Sequence, residues 1–300
     1  MKKEITQLAI IGPTASGKSD LAINIALKID AYILSIDSLS IYREIDIVSA
    51  KPSKEELSQV KHFGINVLNP DEYFSVDIFI NLYKNLLEQC KKESKNLVIV
   101  GGTSFYLKSL LQGLSQLPKI TKEISHNVAK ELSNLASCYN LLSDIDPQYM
   151  KNIDKKDSYR IEKALLIYRA SQLLPTQWFE LHPPKAIIKD LNIFNIDVSR
   201  DTLRQRITSR TNKMIDLGLI NEVCYLEKKY ARLAHSMGSI GIVEVLEYLD
   251  GKVTKEIMLE NISTHTAQLA KRQQTFNRTQ FNNITSAPLH ELEKIILQKL

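Results

Sequence analysis

The first third of the chain alternates short apolar runs with amphipathic stretches. Leu8-Ala9-Ile10-Ile11 has no polar break and reads as a strand buried on both faces. From Ser19 to Ile29, Leu21, Ile25 and Ile29 recur at helical spacing. Tyr32 to Ile36 predicts a second strand. Val76 to Lys92 predicts a helix with Val76, Phe79, Ile80, Tyr83, Leu86, Leu87 and Cys90 on one face. Leu97 to Val100, closed by Gly101-Gly102, predicts a third strand. This alternation implies an α/β fold, a parallel sheet flanked by helices.

The pattern then changes. Residues from about 115 to 190 carry helical spacing, clearest from Lys156 to Ala170, with breaks at Asp146-Pro147 and His182-Pro183-Pro184. A mostly helical insertion over 115–190 is expected, leaving 1–114 and 191–300 as the core. Ile193 to Val198 predicts a strand that returns the chain to the sheet. One long helix is expected from Asp201 to Tyr230 and another from Lys255 to Phe281.

Composition narrows the class. With 300 residues, 44% hydrophobic and 24% charged, the chain is neither disordered nor fibrous. No apolar run approaches the ~20 residues that span a bilayer. Met1-Lys2-Lys3 has the charge of a leader peptide, but Leu8 to Ile11 is too short for its apolar region. No membrane association is expected. The three cysteines, Cys90, Cys138 and Cys224, form no CxxC pair, so they read as small buried hydrophobes of a cytoplasmic protein rather than as zinc ligands. A net charge of +5 permits a nucleic-acid partner without demanding one.

The first candidate chemistry is Gly12-Pro13-Thr14-Ala15-Ser16-Gly17-Lys18-Ser19, which matches the phosphate-binding loop. A strand precedes it and a helix follows, so backbone N–H groups and the positive helix end face an anion. Lys18 reaches phosphate oxygens, and the Ser19 hydroxyl suits Mg²⁺. The motif alone does not say whether the ligand is a nucleotide.

Asp37 ends the second strand and is followed by Ser38-Leu39-Ser40; Thr103 follows the third. Strand carboxyl ends line the ligand crevice of such sheets, so both should open on the loop. The plainer readings are a turn-forming aspartate and an N-cap threonine. The third strand ends in glycine, where a phosphate-loop ATPase carries an aspartate. That weighs against ATP hydrolysis. Arg206, Arg210 and Lys213 share one helix face, which reads either as a solvated stripe or as a clamp on diphosphate or nucleic acid. Lys271 to Arg278 mixes basic, amide and aromatic groups that suit RNA phosphates and bases, or an ordinary polar helix. His62 alone reads as a surface or capping histidine.

Taken in order, these residues carry a resemblance. The phosphate loop is followed by Asp37-Ser38 through Tyr42, Asp46-Ile47, Ala50-Lys51-Pro52, Val100-Gly101-Gly102-Thr103 with Tyr106, and Arg160 with Ala164-Leu165. Then come Arg206-Ile207 with Arg210 and Met214, Gly218-Leu219 with Glu222-Val223, and Gln268-Leu269-Ala270-Lys271-Arg272-Gln273. From Leu8 to Phe281 the chain resembles the tRNA dimethylallyltransferases.

The resemblance implies a phosphate-loop NTPase-like core that transfers a dimethylallyl group from dimethylallyl diphosphate to N6 of the adenosine immediately 3′ of the tRNA anticodon, releasing diphosphate. The loop Gly12 to Ser19, although ATP-like, would hold dimethylallyl diphosphate with Mg²⁺ on Ser19. Asp37 would be the general base, and Thr103 and Arg210 would contact the diphosphate or reacting groups. Contacts with tRNA would come from Asp37, Ser38, Leu39, Ser40, Thr103, Ser125, Tyr159, Arg160, Lys163, Gly241, Lys271, Arg272, Gln273, Phe276 and Arg278. The sequence departs from the family pattern at Ser40, Ser125, Lys163, Ile242-Val243, Ala267 and Phe276. The expected protein is a monomer acting on the anticodon stem-loop. The phosphate loop alone would equally suit a small-molecule kinase, and an RNA-binding nucleotide switch is a third possibility.

Overall fold

The computed structural model describes residues 5–300, so Met1-Lys2-Lys3 lies outside the described residues. In chain order the elements are β1 (Gln7–Ile11), α1 (Lys18–Ile29), β2 (Ala31–Ser35), α2 (Lys54–Gln59), β3 (His62–Phe63), α3 (Val76–Glu93), β4 (Asn96–Gly101) and α4 (Ser104–Gln112). The helical stretch follows: α5 (Lys122–Glu131), α6 (Leu135–Ile145), α7 (Pro147–Met150), α8 (Ser158–Ser171) and α9 (Pro175–Leu181). The chain ends with β5 (Asn192–Asp197), α10 (Arg200–Asp216), α11 (Leu219–Tyr230), α12 (Ile242–Leu249), α13 (Lys255–Gln280), β6 (Ile284–Pro288) and α14 (Leu289–Gln298).

Six parallel strands form one sheet in the order β3-β2-β4-β1-β5-β6. Central strands read as continuous apolar runs because helices cover both faces. Leu8 and Ile10 of β1, Ile33 of β2, Val98 of β4 and Phe194 of β5 pack with Leu21, Ile25 and Ala26 of α1 and Leu292 and Ile296 of α14. Phe79 of α3 stacks on Tyr106 of α4, with ring centroids 4.9 Å apart.

The chain divides into two compact units. One holds the sheet, up to Lys108 and from Asp190 to Leu300; the other is Ser109–Lys189. The second unit has its own core of Val128, Cys138, Leu142, Met150, Ile161, Ala164, Leu165 and Leu166. Its Asp146 is buried and accepts from the N–H groups of Tyr149 and Thr176, tying α7 to α9.

Three expectations change. The single helix from Asp201 to Tyr230 is two, because Gly218 adopts φ +96° and starts α11 as its N-cap. The end of the chain adds β6 and α14, which no pattern had marked. Cys90 and Cys138 are buried, but Cys224 is exposed on α11, since Val223 and Leu226 take the buried side of that helix. Among the described residues no helix is long and apolar enough to cross a membrane.

Candidate active site

The site lies at the carboxyl ends of β1, β2 and β4. After β1 the chain turns through the phosphate loop. Ala15 and Gly17 both have positive φ, +61° and +89°, which bends the loop tightly before α1 begins at Lys18. Gly12, Pro13 and Ser16 are buried, whereas Ser19 is exposed at the helix start. The Ser16 hydroxyl is buried without a hydrogen-bond partner. Lys18 Nζ donates to the Pro13 carbonyl, 3.1 Å away. Burial pushes its ammonium down from 10.5 to about 8; Asp37 opposes that shift and Arg210 adds to it.

Two helices far along the chain brace the loop. Arg206 of α10 donates to the Ser16 carbonyl (3.2 Å), and Arg210, one turn on, donates to Thr14 Oγ1 (3.2 Å). Burial lowers the Arg210 pKa, with Asp37 acting against that shift. Lys213 stays exposed, so the first two cations of the stripe serve the loop and the third faces solvent. Gln273 of α13 accepts from the Thr14 N–H at 2.8 Å. Its amide nitrogen lies against Gly102, where an added Cβ would come within 2.4 Å of it.

Asp37 stands just beyond β2. Its Oδ1 accepts from the N–H groups of Leu39 (2.9 Å) and Ser40 (3.1 Å). That is the turn-forming aspartate of the plainer reading. It is also a functional geometry, because the turn fixes the carboxylate and uses only one oxygen. Thr103 Oγ1 accepts from the Ser38 N–H at 3.3 Å, joining the ends of β2 and β4.

Two cavities meet at this carboxylate. One, of about 70 Å³, is lined by Lys18, Ser19, Ser35, Ser40, His62 and Gly101. The other, of about 310 Å³, is lined by Leu39, Val48, Ile207, Met214, Ile240 and Leu269, with Thr103 and Gln273 among its polar groups. Thr14, Asp37, Ser49 and Arg210 line both. Asp37 is the one carboxylate in either lining among the described residues. His62 therefore sits in the cleft; its Nδ1–H donates to the Val60 carbonyl and burial lowers its pKa. A lone histidine gives no sequence signal for this. It was the β3 pairing with β2 that brought it here.

A model of the IPP transferase family matches residues 40–280. The chain belongs to the IPP transferase family. It is 69% identical over 296 residues to the tRNA dimethylallyltransferase of Sulfurimonas denitrificans, covering 99% of this chain and 100% of that protein. It is similar to the full-length tRNA isopentenylpyrophosphate transferase of Bacillus halodurans (28% identity, TM-score 0.72, 99% of this chain and 97% of that one). A eukaryotic dimethylallyltransferase solved while acting on tRNA shares the fold (TM-score 0.82, 24% identity, 95% of this chain and 75% of that one).

In this IPP transferase the remaining candidates fall into groups. Gly241, with φ +96°, lines the larger cavity. Lys271, Arg272 and Arg278 are exposed on α13, and none makes an ion pair among the described residues. Phe276, on the same helix, is half-buried beside Phe281. In the helical unit, Tyr159, Arg160 and Lys163 gather on α8, where Lys163 Nζ lies 5.3 Å from the Tyr159 ring and Arg160 pairs with Asp157. Ser125 is exposed on α5.

Proposed function

We propose that this chain transfers the dimethylallyl group of dimethylallyl diphosphate to N6 of the adenosine immediately 3′ of the tRNA anticodon. The observation that carries this is the junction of the two cavities at Asp37. The smaller is walled by the phosphate loop, Lys18 and Arg210 and suits a diphosphate. The larger joins apolar side chains (Val48, Ile207, Met214, Ile240, Leu269) to a comparable number of polar ones and suits a five-carbon chain with a purine beside it.

The step breaks the allylic C1–O bond, and its electron pair leaves with the diphosphate. Loop N–H groups, Lys18 and Arg210 neutralise that charge as it develops. The new bond joins C1 to the adenine N6, and the free oxygen of Asp37 takes the N6 proton. Thr103 holds the Ser38 backbone beside that carboxylate. The donor set fits Mg²⁺. No group of three or more His, Cys, Asp or Glu could hold a metal among the described residues, so a cation here depends on Ser19, water and substrate oxygens. When bound, Mg²⁺ supplies further charge neutralisation to the leaving diphosphate.

The target base must leave its stack to reach this depth. Ser38, Leu39, Gly241 and Gln273 surround it in this reading, with Ser40 beside it on the wall of the smaller cavity, and Lys271, Arg272, Phe276 and Arg278 hold the anticodon loop. Residues 115–190, with Ser125, Tyr159, Arg160 and Lys163, grip the anticodon arm. In this reading the chain works as a cytoplasmic monomer. Mass analysis of nucleosides from tRNA treated with the protein and dimethylallyl diphosphate tests the proposal. A dimethylallyl-sized gain on that adenosine is expected, and unchanged nucleosides would overturn it.

A further inference from the structure

The pair Glu222-Val223 has no part in the reaction above, yet Glu222 makes an unusual set of bonds. From α11 its carboxylate accepts from three consecutive backbone N–H groups: Asp46 (2.9 Å), Ile47 (2.8 Å) and Val48 (2.9 Å). A second tie comes from the end of α11, where Lys229 Nζ and Tyr230 Oη donate to Glu44 at 2.6 and 2.7 Å. Lys51, its side chain 4% exposed, donates to the Tyr42 carbonyl and to Asp46 and Asn66. Glu44 and Ala50 hold left-handed conformations, with φ +63° and +46°. Non-glycine residues stay there only where their surroundings enforce it.

The segment keeps its shape by internal bonds: Ala50 N–H to the Ile47 carbonyl, Lys51 N–H to that of Asp46, and Ser49 Oγ to that of Ile45. Its place is a separate matter, set by Glu222, by Lys51 and by the tie of Lys229 and Tyr230 to Glu44. That place is a wall of the cleft. Val48 lines the larger cavity and packs against Gly241, where an added Cβ would lie 3.2 Å from it. Ser49 lines both cavities.

We propose that Glu222 is a positioning residue that fixes the wall formed by Val48 and Ser49 and so limits the length of allylic diphosphate the cleft accepts. This rests on the proposed function, because it takes the allylic chain to lie against that wall. Glu222→Gln keeps the side chain's size but turns a donor toward donors, so the segment should shift without unravelling.

The test uses the full-length protein with an anticodon stem-loop and two donors, dimethylallyl diphosphate and its ten-carbon analogue geranyl diphosphate. In Glu222→Gln the five-carbon preference, as a ratio of kcat/KM, should fall about tenfold or more, within the range that hydrocarbon pockets provide. Amide exchange at residues 46–48 should quicken by about tenfold, as for one lost hydrogen bond of ordinary strength, while β1 and β4 keep their protection. An unchanged preference, whatever the absolute rates, overturns the proposal, and so does unchanged exchange at 46–48. If Glu222→Gln fails to fold, Val48→Ala widens the same wall with the clamp intact. It must also lower the preference, and a preference that stays put overturns the proposal. A wild-type protein that transfers nothing from dimethylallyl diphosphate would instead defeat the proposed function, and the exchange measurement would still judge the clamp.

Discussion

At the scale of single residues, Asp37 carries two tasks on its two oxygens. Oδ1 organises the turn through Leu39 and Ser40, and the other oxygen is free for a proton. Asparagine keeps an oxygen for the turn but cannot act as a base. Asp37→Asn is therefore expected to lower transfer by roughly 10²–10⁴ while diphosphate binding persists. Rapid-quench turnover beside equilibrium titration checks this, and near-normal turnover would remove Asp37 from the base role. Lys18 adds a pH dependence. Its folded-state pKa of about 8 lies below the ordinary 10.5, so the buried charge costs stability below pH 8, and that cost fades as pH rises toward 10.5. Diphosphate favours the charged form, so its affinity should hold at neutral pH and weaken by up to about tenfold per pH unit above 8. In Lys18→Ala the affinity should be weaker at neutral pH, and that drop above pH 8 should be absent, so the two proteins converge as pH rises. A wild-type affinity that stays level from pH 7 to 10 would contradict the assignment. The loop, Asp37 and Thr103 are legible in the sequence because each follows a recognisable strand. Gln273 is not: it reads as part of an RNA-facing run, yet it accepts from Thr14, 259 residues away. No local pattern encodes such a contact.

At the scale of elements, the apolar runs that mark β1, β2 and β4 are legible because helices cover both faces of those strands. The edge strand β6 is not, because Thr285 and Ser286 interrupt it and half of it faces outward. The break between α10 and α11 is equally hidden, since one glycine in a helical pattern is ordinarily tolerated. That break lets α10 supply Arg206 and Arg210 to the loop while α11 supplies Glu222 to the cleft wall. The helix α13 serves two surfaces. Gln273 faces the phosphate loop, and Lys271 and Arg272 are exposed. If those cations neutralise RNA phosphates, Lys271→Ala with Arg272→Ala should reduce the slope of log tRNA affinity against log salt by about two. Filter binding across a salt series measures it. An unchanged slope would mean that this face of α13 is merely solvated.

At the scale of the whole molecule, each compact unit has its own apolar core. All the residues lining the two cavities belong to the sheet unit. Replacing 115–190 by a short linker should therefore leave a folded protein that still binds dimethylallyl diphosphate. Transfer to an anticodon stem-loop should collapse, because remote contacts offset the cost of extruding the base. Near-full turnover by the shortened protein would show that the helical unit is not the RNA grip. The central claim is that a loop built like an ATP site holds an allylic diphosphate and delivers its carbon to an amine beside Asp37. Single-turnover reaction of the intact protein with dimethylallyl diphosphate and an anticodon stem-loop, with ATP as competitor, tests it most directly. The account predicts that one dimethylallyl group reaches adenine N6 per site, one diphosphate is released, and ATP at equal concentration barely slows the step. Tight ATP binding with phosphoryl transfer, and no prenylated adenosine, would contradict it.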